Sequence, residues 1–399
     1  MIKREMYLKK IRGLYDSELI KIIVGVRRSG KSVLLKQIID ELLEKGIQDD
    51  HIVYINFEDY DYIEYTDPKK FNQFIKEQIK DKDKYYLLFD EIQNVRDFER
   101  VINSFRATLN VSIFVTGSNS KVLSSDLSTY LVGRYVSIKM MPFTFKEYLL
   151  LQEQKGIKSN LDEAFLEYVE WGGMPQIYNT TNLEERKMYL TDLYNTAILK
   201  DIVERHSIKN VNLLNRIIQF IMENIGGIVS AKSITDFLNH EKIKTSVDTV
   251  LNYIDYVNTS MIVSKVNRYD IRGKSVMTLL EKYFLADLGI LQLKNSTVEK
   301  KVGGRLENIV YNELIARGYE VYIGKTKNGE IDFVVNDFKD RFYIQVTDYL
   351  SSDSVIEREF GAYKELEDNY PKYVLTMDKL DYSRDGIIHK NIIEWLLDK

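Results

Sequence analysis

The chain has 399 residues, 44% of them hydrophobic, with 56 basic and 60 acidic side chains and a formal charge of −4. That length has room for two to four packed domains, and the balanced charge does not mark a global nucleic-acid binder. The absence of cysteine removes disulfides, thiolate zinc sites and cysteine nucleophiles together, and four histidines scattered at His51, His206, His240 and His389 argue against a histidine metal cluster.

Met1 to Met6 carries no apolar core of the signal-peptide kind, and no 18-residue apolar run occurs anywhere. A cytoplasmic protein without membrane contact is therefore expected. In chain order, the first strong signal is Glu18 to Val24, which reads as a buried strand. Val33 to Leu43 has the apolar spacing of a helix packed on a sheet. Between them, Gly25-Val26-Arg27-Arg28-Ser29-Gly30-Lys31-Ser32 has the spacing of a phosphate-binding loop. Glycines let the backbone fold tightly, so that the N–H groups from Gly25, Arg28, Ser29, Gly30, Lys31, Ser32 and Val33 and the helix's positive end surround a phosphate. Lys31 is then expected to reach the β- and γ-phosphates, and the Ser32 hydroxyl to complete the coordination of Mg²⁺.

His51 to Phe57 is a second β-rich run, and a helix is expected from about Pro68 to Lys80. Tyr85 to Phe89 leads into Asp90-Glu91. Such a strand carries Asp90 to the sheet's C-terminal edge, where it can hold Mg²⁺ through water, and places Glu91 to deprotonate the attacking water. A fourth run, from Val111, ends in Ser118-Asn119, whose polar tip is a candidate contact for the γ-phosphate. Arg134, just before a fifth strand, is a candidate for stabilising charge on the transferring phosphoryl group, in cis or from a neighbouring subunit. Surface arginine is the competing reading.

The ordered set GVRRSGKS, LLFDE, VTGSNS, LVGRY and MPFTFKEY between residues 25 and 148 resembles the AAA-superfamily ATP-binding proteins of bacteria and archaea that carry an uncharacterised C-terminal region. Trp171-Gly172-Gly173-Met174-Pro175, the run from Lys200 to Arg205 and the run from Lys282 to Asp287 extend the likeness over nearly the whole chain. The resemblance implies an α/β architecture with a P-loop ATPase core of strand order 5-1-4-3-2 over residues 1–146. It also implies a helical lid over 147–204, a winged-helix domain over 205–296 and a restriction-endonuclease-like domain over 297–399.

Within the middle region, Leu213, Leu214, Ile217, Ile218 and Ile221 share one helical face, Ser230 is a helix cap, and Thr245 with Asp248 resembles a capping box. A hairpin follows, and its Lys265, Arg268, Arg272 and Lys274 form a phosphate-contacting set of the kind a DNA-binding wing uses. The helix before it, with Lys242 and Lys244 matched by Asp248 and Asp255, is a poor major-groove reader. In the last region the nuclease resemblance asks for a carboxylate on a helix (Glu307), one on the second strand (Asp332), and Gln or an acid plus a lysine alternating on the third. That strand offers Gln345-Val346-Thr347, and Thr347 cannot supply the missing charge. The sequence thus favours a retired, structural or nucleic-acid-holding domain over a working nuclease.

The leading expectation is an ATP-hydrolysing switch that uses ATP and Mg²⁺, with double-stranded DNA or a protein as candidate partner and a homo-oligomer as a candidate state. An ATP-gated, Mg²⁺-dependent DNA endonuclease and a nucleotide-loaded scaffold are the two rivals.

Overall fold

A strand covered on both faces needs apolar side chains at every position, not at alternate ones. Ile20–Val24, Tyr85–Asp90 and Val111–Gly117 are buried throughout, and they form the heart of the first sheet. The structure, a computed structural model, describes residues 1–118, 131–158, 160–293, 302–327, 329–337 and 340–398. It divides into two compact units, Met1–Met140 and Met141–Lys399.

The first unit runs α1 (Glu5–Arg12), β1 (Ile20–Val24), α2 (Lys31–Glu44), β2 (Ile52–Asn56), α3 (Pro68–Gln78), β3 (Tyr85–Asp90), α4 (Phe98–Thr108), β4 (Val111–Gly117) and β5 (Tyr135–Lys139). All neighbouring strands are parallel, in the order β2-β3-β4-β1-β5. This is the expected order read from the opposite edge. Strand β1 lies between β4 and β5, with Ile23 beside Thr116 and Ile138. Because every strand points the same way, the loops after β1, β3 and β4 leave from one edge, where open α/β sheets place their ligands. Helix α3 starts where the sequence chemistry dictates: Asp67 caps the N–H groups of Lys69 and Lys70, and Pro68 takes the first position. Phe71 from α3 meets Phe89 and Phe105 edge-on at 5.0 and 5.4 Å, joining β3 to the flanking helices.

The second unit begins with helices α5 (Phe145–Gln154), α6 (Leu161–Trp171) and α7 (Leu183–Ile198), the last continued by a π-helical turn over Leu199–Glu204. Thr144 and Glu147 form a full capping box at the start of α5. Next come α8 (Val211–Glu223), β6 (Ile228–Val229), α9 (Ala231–His240), α10 (Val247–Thr259), β7 (Val263–Asp270) and β8 (Ser275–Leu285). Ser230 caps α9, with its hydroxyl accepting from the N–H of Ser233. The cap of α10 is Ser246, which accepts from Thr249 N–H, so the expected Thr245–Asp248 box is displaced by one residue. Either hydroxyl could serve, and the serine one position later stands where the extended backbone turns helical.

The chain ends with α11 (Val302–Arg317), β9 (Glu320–Lys325), β10 (Glu330–Asp337), β11 (Asp340–Val346), α12 (Asp353–Gly361), β12 (Lys372–Thr376), β13 (Ile387–Asn391) and α13 (Ile392–Leu397). One eight-stranded sheet, β13-β12-β11-β10-β9-β7-β8-β6, runs through this unit. The hairpin β7–β8 is part of this sheet. Its β7 pairs with β8 on one side and lies parallel to β9 on the other, with Arg268 beside Ile323. Among the described residues no helix is long and apolar enough to cross a membrane.

Candidate nucleotide site

The loop between β1 and α2 is shaped by its glycines. A Cβ on Gly25 would stand 2.2 Å from the Met140 carbonyl oxygen, so the backbones touch there and only glycine fits. Gly30 takes φ 101° as the N-cap of α2 and, lacking a side chain, leaves the helix's first N–H groups uncapped. Arg28 also has a positive φ, 63°. Ser29 is fully buried and its hydroxyl has no hydrogen-bond partner, which is the state of a group shaped for a polar ligand.

Lys31 is buried in the first turn of α2, and its ammonium donates to the carbonyls of Gly25 (3.1 Å) and Val26 (3.3 Å). It also lies 3.6 Å from Glu91 Oε1. The cation therefore hangs inside the loop and is held by groups that a phosphate can replace. Ser32 and Val33 are half-buried on the same turn, and Arg28 is exposed.

Asp90 ends β3 and Glu91 follows it, and one hydroxyl organises both. Thr116 Oγ1, on the adjacent β4, donates to Asp90 Oδ1 and accepts from the Glu91 N–H at 2.9 Å. Tyr54 from β2 donates to Asp90 Oδ2 at 3.2 Å. Glu91 adopts a left-handed backbone, φ 51°, which turns its side chain back toward Lys31. Gln93 donates to its carboxylate and lies 3.5 Å from Ser118. Burial pushes the Glu91 carboxyl up, yet Lys31, then Gln93 and Ser118, outweigh it and hold the group below its ordinary range. It is thus ionised at neutral pH, as a base must be.

Sequence comparison agrees with this geometry. A family model described as an AAA domain matches residues 17–149. The chain is 36% identical to an uncharacterized protein of Haemophilus influenzae over its full length and 99% of that protein. The chain belongs to the AAA superfamily of P-loop proteins. An uncharacterized protein of Methanocaldococcus jannaschii is 31% identical over 86% of this chain and 78% of its own. Residues 162–299 match a domain of unknown function (DUF8612). Among solved structures, the Aeropyrum pernix Orc1 protein in complex with DNA matches 73% of this chain and 92% of its own at 13% identity, with a TM-score of 0.34. That likeness is too loose to carry a functional argument.

Around the AAA loop, three residues were not legible in the motifs. Thr116 and Tyr54 hold Asp90, and Arg4, buried in the segment before α1, donates to the Ser29 carbonyl at 2.8 Å. The alternation along β4 puts Thr116 on the same face of the sheet as Ser118, a signal that could have found it. Nothing local marks Arg4. The structure does not bring Arg134 to the loop. It precedes β5 and accepts from Ile20 N–H through its carbonyl, and its guanidinium reaches Asn103 at 3.3 Å. Ile20 pairs with Tyr135 at the start of β1, so Arg134 sits a strand's length, roughly 16 Å at about 3.3 Å per residue, from the phosphate end. In this structure Arg134 therefore does not meet the loop of its own chain. Asn119 lies outside the described residues.

In the second unit, Glu307 (α11), Asp332 (β10) and Gln345 (β11) do converge. Gln345 Oε1 accepts from Asp332 N–H at 3.0 Å, and Asp332 Oδ2 accepts from Val346 N–H at 2.9 Å. A residue the nuclease resemblance left out joins them. Lys282 of β8 places its ammonium 2.9 Å from Glu307, 3.1 Å from Asp332 and 2.6 Å from Glu330. Burial pushes the Glu307 carboxyl up, helped by the Asp332 charge, while Lys282 opposes the shift.

Proposed function

We propose that the protein is a switch that binds and hydrolyses Mg²⁺-ATP in its first unit and passes the change to its second. The observation that supports this most is the meeting, at one edge of a parallel sheet, of a buried loop lysine and an ionised carboxylate 3.6 Å from it, beside a second buried carboxylate on the same strand end. The residues present fit both ligands. The loop N–H groups and Lys31 would take the phosphates, with the orphaned Ser29 hydroxyl among them. Ser32, and Asp90 through water, would be the oxygen donors for Mg²⁺, which when bound would neutralise charge on the transferring phosphoryl group. Glu91 exchanges its contact with Lys31 for a water molecule and takes that water's proton. Lys31 then stands opposite the phosphate charge.

Helices α5 to α7 are proposed as the lid, residues 205–296 as a winged-helix module and residues 297–399 as a nuclease-like module. DNA is the proposed partner, on the strength of two exposed cations, Arg272 and Lys274, at the β7–β8 turn. Of the rest of the expected wing set, Arg268 is buried and Lys265 pairs with Asp255 at 3.4 Å. The test is steady-state ATPase activity of the full chain with and without double-stranded DNA. Hydrolysis that is lost in Glu91→Gln and stimulated by DNA supports the reading. Hydrolysis indifferent to DNA moves the partner to a protein, and no hydrolysis at all overturns the enzyme.

A further inference from the structure

The charges around Lys282 are not used by the nucleotide reading, and they are deeply placed. Lys282 has only 4% of its side chain exposed, and its three ammonium protons face three different carboxylates. Strand alternation explains how it gets there. Lys282 and Phe284 point to one face of β8. Phe284 stacks on Tyr311 of α11 at 4.6 Å, and Tyr311 lies one helical turn beyond Glu307. Asn308 then fixes the register by exchanging two hydrogen bonds with the backbone of Leu285, 2.7 and 2.8 Å long. The ammonium is thereby held between α11 and β10.

The nuclease resemblance implies a divalent cation between Glu307 and Asp332, and the residues present do not fit one. A Mg²⁺ or Ca²⁺ ion needs carboxylate oxygens at roughly 2.0–2.6 Å. Lys282 Nζ already stands 2.9 and 3.1 Å from those oxygens, so ion and ammonium would compete for one position. The second oxygen of Asp332 is taken by Val346 N–H, and Gln345 spends its carbonyl on the Asp332 backbone. Thr347 brings no charge to the third strand.

We infer that the Lys282 ammonium replaces the divalent cation of a nuclease-like centre, which makes Glu307, Glu330 and Asp332 an ion-pair core, with Glu330 Oε2 left unpartnered, binding β8 to α11 and β10. Its consequence is that residues 205–296 and 297–399 share one electrostatic anchor and that phosphodiester cleavage is not a task of this region. The inference is independent of the nucleotide site.

The test is Mn²⁺ binding to the full chain without nucleotide, followed by calorimetry and by thermal unfolding, together with plasmid cleavage in Mg²⁺ or Mn²⁺. Wild-type protein is expected to show no Mn²⁺ binding and no cleavage that Asp332→Asn removes. Lys282→Ala is expected to unfold roughly 10 °C lower, since one partner of a buried ion pair is lost, and to recover most of that shift in Mn²⁺. The recovery should vanish in Lys282→Ala with Asp332→Asn. Mn²⁺ binding or cleavage by wild type that depends on Asp332 overturns the inference, as does a folded Lys282→Ala protein that gains no Mn²⁺ site. If Lys282→Ala does not fold, the wild-type comparison with Asp332→Asn or Glu307→Gln still decides.

Discussion

Replacing Thr116 by Val keeps the shape and β-propensity of the residue and removes one oxygen from the point where Asp90 and Glu91 are held. Two consequences follow from the geometry. Asp90 Oδ1 loses a donor, and the Glu91 N–H loses its acceptor at 2.9 Å. A hydrogen bond to a charged group contributes about 1.5–3 kcal/mol, and an orphaned buried N–H costs about 1–3 kcal/mol. Asp90 keeps Tyr54 at 3.2 Å, which softens the first loss, so Thr116→Val is expected to destabilise the protein by about 2–4 kcal/mol in urea unfolding. The catalytic effect is separate. Glu91 sits at φ 51°, a backbone state that non-glycine residues adopt only when held there, and Thr116 is the group that holds it. With that restraint gone, the carboxylate drifts from its working position, and displacements of about 1 Å cost on the order of 100-fold in rate. Steady-state ATPase assays should give a kcat roughly 10- to 100-fold lower, with little change in nucleotide affinity, because the loop and Lys31 are untouched. A Thr116→Val protein with wild-type kcat would refute the assignment of this edge as the reacting one.

Glu91→Gln is expected to retain nucleotide binding while kcat falls by about 10²–10⁴; equal turnover in radiolabelled ATP hydrolysis would remove Glu91 from the base role. Arg134→Ala should leave ATPase activity unchanged at concentrations where the protein is monomeric, and a loss in the monomeric fraction would contradict its place at the far edge of the sheet. Lys21 is fully buried in β1, donating to Ser112 Oγ at 2.6 Å and the Ser17 carbonyl at 3.1 Å, and burial pulls its ammonium down to about 7. Unfolded, the same group titrates near 10.4, so between those values the unfolded chain holds more protons and stability rises with pH. Lys21→Met should therefore stabilise the protein by about 1–3 kcal/mol at pH 7, after the loss of its hydrogen bonds, and the gain should turn into a loss of about 1–2 kcal/mol by pH 10; a gain independent of pH would show that Lys21 keeps its charge in the folded protein.

The sheet of the first unit was legible because continuous apolar runs and a glycine loop are local signals. The residues of the loop and the two acids at the end of β3, Asp90 and the following Glu91, therefore stood out before any coordinates. What was not legible depends on neighbours far away in sequence. Thr116 matters because β4 pairs with β1 and lies beside β3, and Arg4 because the segment before α1 returns to the loop. Arg134 was misleading for the same reason: its motif is local, but its distance from the phosphate end is set by the parallel register of β1 and β5. In the second unit, the triad Glu307, Asp332 and Gln345 followed from element order, yet Lys282 comes from a hairpin 25 residues before Glu307. No spacing rule links them, because the link is the packing of β8 against α11. The pairing of β7 with β9 was hidden similarly, since a hairpin's local pattern does not reveal which strand its outer edge will meet.

The nucleotide claim is tested most directly by isothermal titration of Mg²⁺-ATP into the full chain, with circular dichroism to verify folding, beside Lys31→Ala. One molecule of nucleotide per chain is expected for the wild type and none for the variant. A folded wild-type protein that takes up no nucleotide, or a Lys31→Ala protein that binds as tightly, would contradict the account.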